Sequence, residues 1–410
     1  MFYYIYLISL VGAISLIGLK RRKPDLFTLN IAGIAYYSSE LLFGVVYDPN
    51  IHKYVEINEY IYIFYSFLFL FFIFAVYIND SVSNTRIYSQ KISPSAPEYF
   101  YFLIIVLVMI FLGLLLIDIR TFFPDEVGGF SASNYSSVYN IYWISILLLI
   151  AAAFRTKSYS LKLIGFFFLL TTLLAGSRAY FLGGCFIALL MIYENKPPIR
   201  LFLSFRRVLV MILGFIFLII YKNVYQYILM LDLDLLLEAG SDLDLLLFRL
   251  TKGSESIAVL NFQHAITLYS DNAGSFVDLV LIKCIPFISD LYIAGFNFDP
   301  RSLSDILNEN FYQNVSYGMA SSIWGLFYYV SGPIGCLLFG FIYVLITLYL
   351  NGRILKKDML GYHLIPPSVF IGFYASRLEI AAIVFPFYMS IFVLIIYKII
   401  YTILPRKTQS

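Results

Sequence analysis

The chain has 410 residues, of which 61% are hydrophobic and only 13% are charged, and its mean hydropathy is +0.84. A soluble domain carries about 25% charged residues, so this composition excludes a soluble globular protein and indicates a chain that lies mostly in lipid. The formal net charge of +3 decides little, because the side of the membrane on which each charge lies matters more than the sum. The length is therefore interpreted as a number of membrane spans.

The N-terminal stretch MFYYIYLISLVGAISLIGLKRRK carries its charges after the apolar run. This order is the reverse of a secretory signal peptide and predicts a first span with its N-terminus outside. With that orientation every inside segment is basic, as the positive-inside rule expects, and the C-terminus lies inside. The pattern predicts an all-α polytopic membrane protein with about eleven spans, at 2–19, 26–47, 60–78, 99–117, 138–154, 159–175, 179–193, 207–222, 322–350, 363–378 and 380–401.

The apolar stretch 159–193 is too long for one spanning helix and contains the sequence LLAGSRAYFLGG at 173–184. A tight hairpin at Gly176–Ser177 is predicted, because Gly and Ser form turns readily. Arg178 would then lie at the outer membrane boundary rather than at mid-bilayer, where a charged side chain is costly. No acidic residue lies within ten positions of it, which favours a function for Arg178 over a local ion pair.

The segment 223–321 contains no clean 18-residue apolar run, and it holds twelve acidic but only four basic residues. A loop of this length is too long for a simple connector. Its stretch SESIAVLNFQHAITLYS alternates at helical spacing, so we expect short helices lying over the outer membrane surface. The chain is predicted to divide into an N-terminal bundle at 1–222, this large periplasmic loop at 223–321, and C-terminal spans at 322–410.

Arginines recur in the segments that are predicted to lie outside. The guanidinium group is always charged and offers a fork of donors that matches phosphate oxygens, so their position at the membrane boundary indicates a phosphate site at headgroup level. An equally simple interpretation is that each one snorkels or pairs with a local acid, such as Asp118 or Glu379. The arginines concerned are Arg120, Arg178, Arg249, Arg301 and Arg377.

Two further ionisable residues are candidates for proton chemistry. His264 is the only histidine in the large loop, and an imidazole near a phosphate site can act as a general base, although a lone histidine is more often structural. Glu40, in YYSSELLFG, is predicted to lie within the second span. It is either a proton carrier or the partner of an arginine from another helix, and the sequence leaves both open.

The repeated DLDLLL at 232–237 and 242–247 invites a metal-binding interpretation, because Asp-x-Asp pairs hold divalent cations in many transferases of nucleotide sugars. That interpretation needs a nucleotide-binding α/β pattern, which the sequence lacks. An interfacial leucine-rich segment with acids facing water is favoured instead. The sequence contains no P-loop, no Cys/His metal spacing, no GxSxG and no HExxH, so neither a metal nor another cofactor is expected.

Several features together resemble one family. They are the many-span plan, the LLAGSRAYFLGG hairpin, the large outside loop late in the chain and the Gly/Pro-interrupted SSIWGLFYYVSGPIGCLLFGFIY at 321–343. The chain resembles the Wzy-type O-antigen polymerases, which join oligosaccharide repeat units, and the resemblance covers nearly its whole length. Some members carry an arginine, ten residues and then a glycine in outside loops. Here Arg249 leads to Leu260 and Arg301 leads to Tyr312, so that motif does not transfer.

The resemblance implies a membrane glycosyltransferase of the bacterial inner membrane. Its partners would be undecaprenyl-pyrophosphate-linked oligosaccharides, membrane lipid and a chain-length regulator protein, with no nucleic acid. The growing glycan would leave its pyrophosphate for a sugar hydroxyl of a new repeat unit at the periplasmic face, without a metal. Arg178, Arg249 and His264 would be catalytic, with His264 as the base. Pyrophosphate would be bound by Arg178, Arg249, Arg301, Arg120 and Arg377.

Two other functions stay open at this point. The O-antigen ligase uses the same chemistry, and the sequence separates it poorly from a polymerase. A flippase or other transporter of lipid-linked glycans usually shows internal repeats and buried charges along a central path. The two halves of this chain show no convincing repeat, and its charges concentrate on one face, which favours an enzyme acting at one membrane surface.

Overall fold

The computed structural model describes a mostly helical chain that is suited to a membrane. Four of the described helices are long and apolar enough to cross a bilayer, at Glu59–Ser81, Glu98–Leu116, Ile323–Ile354 and Ile383–Ile403, and shorter apolar helices accompany them. The described residues are 1–18, 24–48, 51, 53–85, 96–117, 137–155, 158–174, 178–193, 213, 257–271, 274–281, 302–312, 322–355, 358–377 and 380–403.

The described elements follow one another with one short hairpin among many helices. In chain order they are α1 (Phe2–Gly18), α2 (Leu26–Tyr37), a 3₁₀ turn (Ser39–Leu42), β1 (Val45–Asp48), β2 (Lys53–Glu56), α3 (Glu59–Thr85), α4 (Ala96–Leu116), α5 (Ser137–Arg155), α6 (Tyr159–Leu174), α7 (Arg178–Tyr193), α8 (Ile257–Asp271), a π-helical turn (Val277–Leu281), α9 (Leu303–Phe311), α10 (Ile323–Leu355), α11 (Met359–Tyr374) and α12 (Ile380–Ile403).

The chain forms two compact units that each draw on distant parts of the sequence. The first unit comprises 1–89, 252–352 and 370–385, and the second comprises 90–251, 353–369 and 386–410. The division into an N-terminal bundle, a large loop and C-terminal spans stays a prediction. Of the large loop, α8, the π-helical turn and α9 fall among the described residues, so short helices are present there as expected. The DLDLLL repeats lie outside the described residues.

The helix predicted at 26–47 is wrong in its second half. α2 ends at Tyr37, and the chain continues through the 3₁₀ turn into the antiparallel hairpin of β1 and β2, in which Asp48 pairs with Lys53. Glu40 therefore lies in a turn beyond the end of α2 and not in the middle of a spanning helix.

Local chemistry explains why α2 stops where it does. The Ser38 hydroxyl donates to the Ile34 carbonyl oxygen at 2.6 Å, a bond that competes with continuation of the helix. Gly44 has a φ of +74°, which a glycine adopts without strain. Val45 and Val46 follow it, and β-branched residues favour the extended conformation.

α10 is a kinked helix, in line with the interruption seen in its sequence. Gly332 has a φ of +70° and is followed by Pro333 inside the helix, and proline breaks the helical hydrogen-bond pattern. The Tyr60 hydroxyl donates to the Pro333 carbonyl oxygen at 2.6 Å. The Tyr269 ring lies so close to Gly332 that a Cβ there would be 2.6 Å from its hydroxyl oxygen. The kink is therefore held by α3 and α8.

In the second unit, α5 is buried on nearly every side and packs against α4, α6 and α7. A helix that is apolar all round belongs in an interior. The predicted break within 159–193 is confirmed as two helices, because α6 ends at Leu174 and α7 begins at Arg178. The predicted turn residues Gly176–Ser177 lie outside the described residues.

Large apolar side chains remain exposed along several helices, such as Ile8 on α1, Phe74 on α3, Leu115 on α4 and Phe341 on α10. A soluble monomer rarely exposes contiguous apolar surface of this kind. Lipid tails are as apolar as these side chains, so the faces need no protein cover. They support a membrane-embedded chain independently of its composition.

We expect Gly33→Ala to destabilise the first unit. A Cβ at Gly33 would lie 2.5 Å from the carbonyl oxygen of Phe373, at the C-terminal end of α11, and backbone cannot turn aside as a flexible side chain can. Overpacking of this kind costs about 1–3 kcal/mol, so the detergent-solubilised protein should unfold at a lower temperature. Gly352→Ala is the matched control, because nothing lies within 4 Å of its Cβ position. Equal unfolding temperatures for the two variants would contradict the close helix contact.

Candidate functional site

In the first unit, several polar side chains cluster where α8 contacts the hairpin of β1 and β2. Gln263 of α8 reaches the hairpin with both ends of its side-chain amide. Its Nε2 donates to the Glu56 carbonyl oxygen at 2.9 Å, and its Oε1 accepts from the Asn58 amide at 3.3 Å. These two bonds hold α8 against the end of β2.

The next residue, His264, faces the other strand of the hairpin. Its Nε2 lies 3.8 Å from Oδ2 of Asp48, which is too long for a hydrogen bond but within the distance of an ion pair once the imidazole is protonated. The two side chains are only 12% and 9% exposed. Nε2 itself is buried and has no hydrogen-bond partner among the described residues.

Two aromatic side chains from α9 and its C-terminal end fix the imidazole. The ring of Phe311 stacks on His264 with centroids 4.0 Å apart and planes 14° apart, and Tyr312 meets it edge-on at 5.6 Å. The Tyr312 hydroxyl donates to Oδ1 of the fully buried Asn261 at 2.7 Å. Asn261 and His264 are three residues apart and so share a face of α8.

The helix that presents these rings has a well-defined beginning. Ser302 caps α9, since its hydroxyl accepts from the Asp305 amide at 3.0 Å, while Oδ2 of Asp305 accepts from the Ser302 amide at 2.7 Å. This reciprocal capping box stabilises the first turn. α9 therefore begins at a defined residue, and its last residue, Phe311, stacks on His264.

The environment makes His264 a neutral base. Burial lowers its pKa from 6.5 to about 4, and the Asp48 carboxylate opposes that shift without cancelling it. The imidazole is uncharged at neutral pH, so its contact with Asp48 is not an ion pair. Burial likewise raises the pKa of the Tyr312 phenol, and the nearby Asp48 adds to the effect. An imidazole that gains a proton beside a carboxylate is stabilised electrostatically, so Asp48 acts against the burial that weakens His264 as a base.

Glu40 is a second ionisable group in an unusual environment. It lies in the 3₁₀ turn beyond the end of α2. Burial raises its pKa from 4.5 to about 8, so it is largely protonated at neutral pH. Its Oε2 is buried without a hydrogen-bond partner among the described residues. Glu40 can hold and release a proton near neutral pH.

The structure locates only some of the arginines that the sequence singled out. Arg178 is the first residue of α7, but its side chain is not among those described. Arg377 follows Ser376 in the turn after α11, is half-buried, and donates its backbone amide to the Tyr374 carbonyl oxygen at 2.9 Å. Its pairing with Glu379, like the remaining predicted site residues Arg120, Arg249 and Arg301, lies outside the described residues.

Several residues of this site escaped the sequence analysis, namely Asp48, Gln263, Asn261, Phe311 and Tyr312. A signal for the hairpin was present, because VVYD, rich in strand-forming residues and followed by Pro and Asn, is typical of a strand and a turn. No comparable signal linked Asp48 to His264. Among the described residues, no group of three His, Cys, Asp or Glu side chains is placed to hold a metal ion.

Comparison of the chain with protein-family models, with curated proteins and with solved structures finds no match.

We expect Glu40→Gln to change how the stability of the protein depends on pH. A carboxyl whose folded pKa is raised contributes stability that is complete below pH 4.5 and is lost as pH rises through about 8, by up to about 1.4 kcal/mol per pH unit. Glutamine is neutral throughout and similar in shape. The unfolding temperature of the wild type should therefore fall more steeply between pH 5 and pH 8 than that of Glu40→Gln.

Glu56→Gln is the control for this experiment, because the Glu56 side chain is exposed on the hairpin. Its unfolding temperature should follow that of the wild type across the same pH range. If Glu40→Gln also runs parallel to the wild type, Glu40 does not bind a proton more tightly in the folded state.

Proposed function

We propose that the chain is a surface-polysaccharide polymerase of the O-antigen type in the bacterial inner membrane. It would cross the membrane about eleven times, with its N-terminus in the periplasm and its C-terminus in the cytoplasm. It would transfer a growing glycan from undecaprenyl pyrophosphate to a new lipid-linked repeat unit at the periplasmic face. The observation that carries this proposal is His264, a buried and neutral imidazole beside the Asp48 carboxylate, in the loop that the sequence predicts to lie outside.

The proposed reaction is a substitution at the anomeric carbon of the donor. An acceptor hydroxyl gives its proton to His264 as its oxygen attacks that carbon, and the bond to the pyrophosphate breaks with its electron pair leaving on the phosphate oxygen. Cations aimed at the departing pyrophosphate lower the barrier, and the reaction needs no metal. The Nε2 of His264 is covered in this structure, so the role requires that acceptor binding uncovers it.

The arginines are assigned to the pyrophosphate. Arg178 is supported by its position as the first residue of α7, since helix N-termini attract anions. Arg249 and Arg301 are assigned with it to the leaving group, and Arg120 and Arg377 to binding of the pyrophosphate at the membrane boundary. A guanidinium can hold two phosphate oxygens at once, whereas lysine acts as a point charge.

A transporter of lipid-linked oligosaccharides is the second candidate, and Glu40 is the observation that favours it. A buried carboxyl that exchanges a proton near neutral pH is suited to proton-coupled transport. The O-antigen ligase is the third, because it shares the chemistry of the polymerase. Deletion of the gene with gel analysis of the surface polysaccharide separates the polymerase from the other two. A single repeat unit on the core indicates a polymerase, whereas undecorated core indicates a ligase or a flippase.

In a polymerase-deficient strain, Arg178→Ala should leave mostly single repeat units on the gel, because the charge on the departing pyrophosphate is no longer neutralised. Arg178→Lys keeps the charge but loses the fork of donors, and should give short polymers at a reduced level. Removal of one such electrostatic contact costs about 10²–10³ in rate. Wild-type chain lengths from Arg178→Ala, at equal protein level, would rule out its catalytic role.

His264→Ala should also abolish the polymer, by the loss of the base. In an assay of the purified enzyme, the wild type should keep its rate as pH falls from 7 to 5, because the imidazole gains a proton only near pH 4. A base with an ordinary histidine pKa would lose activity below about pH 6.5. A rate that halves near pH 6.5, or full-length polymer from His264→Ala, would remove His264 as the base.

A further inference from the structure

The side chain of Gln263 acts on the hairpin in the manner of a neighbouring strand. Its amide donates to the carbonyl oxygen of Glu56 and accepts from the amide of Asn58, which are the two residues that flank Ile57. A residue in a parallel β-ladder bonds the backbone on both sides of its partner in the same way. The side chain of Gln263 thus makes the two backbone hydrogen bonds that a neighbouring strand would make, and it holds α8 at the end of β2.

This contact determines where Asp48 lies. Val45 is paired with Glu56, the Ile57 amide donates to the Gly44 carbonyl oxygen at 3.3 Å, and Asp48 lies at the far end of β1. Three residues of strand span about 10 Å, so a small tilt of the hairpin at Gln263 would move Asp48 appreciably. His264 directly follows Gln263 on α8, so the residue that binds the hairpin and the proposed base move together.

A carboxylate at this distance would stabilise a positive charge on the imidazole. An imidazolium that forms on His264 lies 3.8 Å from Oδ2 of Asp48, and the interaction of opposite charges falls with separation and with entry of water. Among the described residues, the other titratable group whose ring contacts the imidazole is Tyr312, which directly follows α9. From α3, the described phenols of Tyr60 and Tyr65 face the Phe262 ring of α8.

We propose that Asp48 is the second member of the base, stabilising the imidazolium of His264 during proton transfer, and that Gln263 is the positioning residue that sets their separation. This inference rests on the proposed function, because the proton transfer belongs to the proposed reaction. The geometry that it describes can be tested without it.

The first test is a histidine NMR titration of the detergent-solubilised protein, with the His264 signal identified by its loss in His264→Asn. Asp48→Asn should move the pKa of His264 below its wild-type value of about 4, because the carboxylate opposes the effect of burial. Gln263→Ala should move it upward toward 6.5, because a loosened hairpin admits water and burial is the larger cause. Asp48→Glu keeps the charge and should leave the pKa near the wild-type value.

Thr267→Ala is the control for Gln263→Ala, since Thr267 lies one turn further along α8 and is exposed. It should leave the titration of His264 unchanged. If Gln263→Ala does not fold, Gln263→Met replaces it, because that variant keeps the length of the side chain, adds no charge and loses both hydrogen bonds to the hairpin. An unchanged titration in a folded Gln263 variant, or in Asp48→Asn, overturns the inference.

The second test is a double-mutant cycle on polymer formation. Asp48→Asn and Gln263→Ala should each reduce the rate, by up to about 100-fold for the carboxylate. Gln263→Ala should have little further effect in the Asp48→Asn background, because the two residues act through one interaction. Additive losses would overturn the positioning role. If His264→Ala makes normal polymer while the titrations behave as expected, the proposed function fails and the geometry stands.

Discussion

Two hydrogen bonds from the Gln263 amide fasten α8 to the hairpin, and the geometry of the site depends on them. They join residues more than 200 positions apart in the chain, so they bring the large loop to the N-terminal part of the first unit. The adjacent His264 is thereby placed against Asp48. The hairpin exists only because α2 stops at Tyr37, so the early end of one helix determines whether the site can form.

Loss of water is the common physical cause behind the two unusual ionisable groups. It disfavours whichever form is charged, so it lowers the pKa of His264 and raises that of Glu40. Both groups are therefore mainly neutral at neutral pH, one as an imidazole that holds no extra proton and the other as an acid that still holds its proton. Asp48 differs because it acts on His264 as the charged neighbour.

The sequence predicted what depends on local composition and length. The break between α6 and α7 followed from a stretch too long for one helix, and His264 was selected as the only histidine of the large loop. The end of α2 was missed because Val45, Val46 and Tyr47 extend the apolar run of the helix, and their hydropathy outweighed the preference of valine and tyrosine for strands. Asp48 and Gln263 could not be linked to His264, because a single sequence carries no signal for contacts between residues so far apart.

The shortness of α2 has a consequence for what must surround it. Its 12 residues extend about 18 Å, whereas the hydrocarbon core of a bilayer is about 30 Å thick. The turn that follows carries backbone groups that lipid could not satisfy. The protein satisfies two of them itself, because the Tyr6 hydroxyl of α1 donates to the Ser38 carbonyl oxygen at 2.9 Å and the Tyr62 hydroxyl of α3 donates to the Leu41 carbonyl oxygen at 3.3 Å. Eight of the 12 residues of α2 are buried as well, so a helix too short for the bilayer is enclosed by its neighbours rather than by lipid.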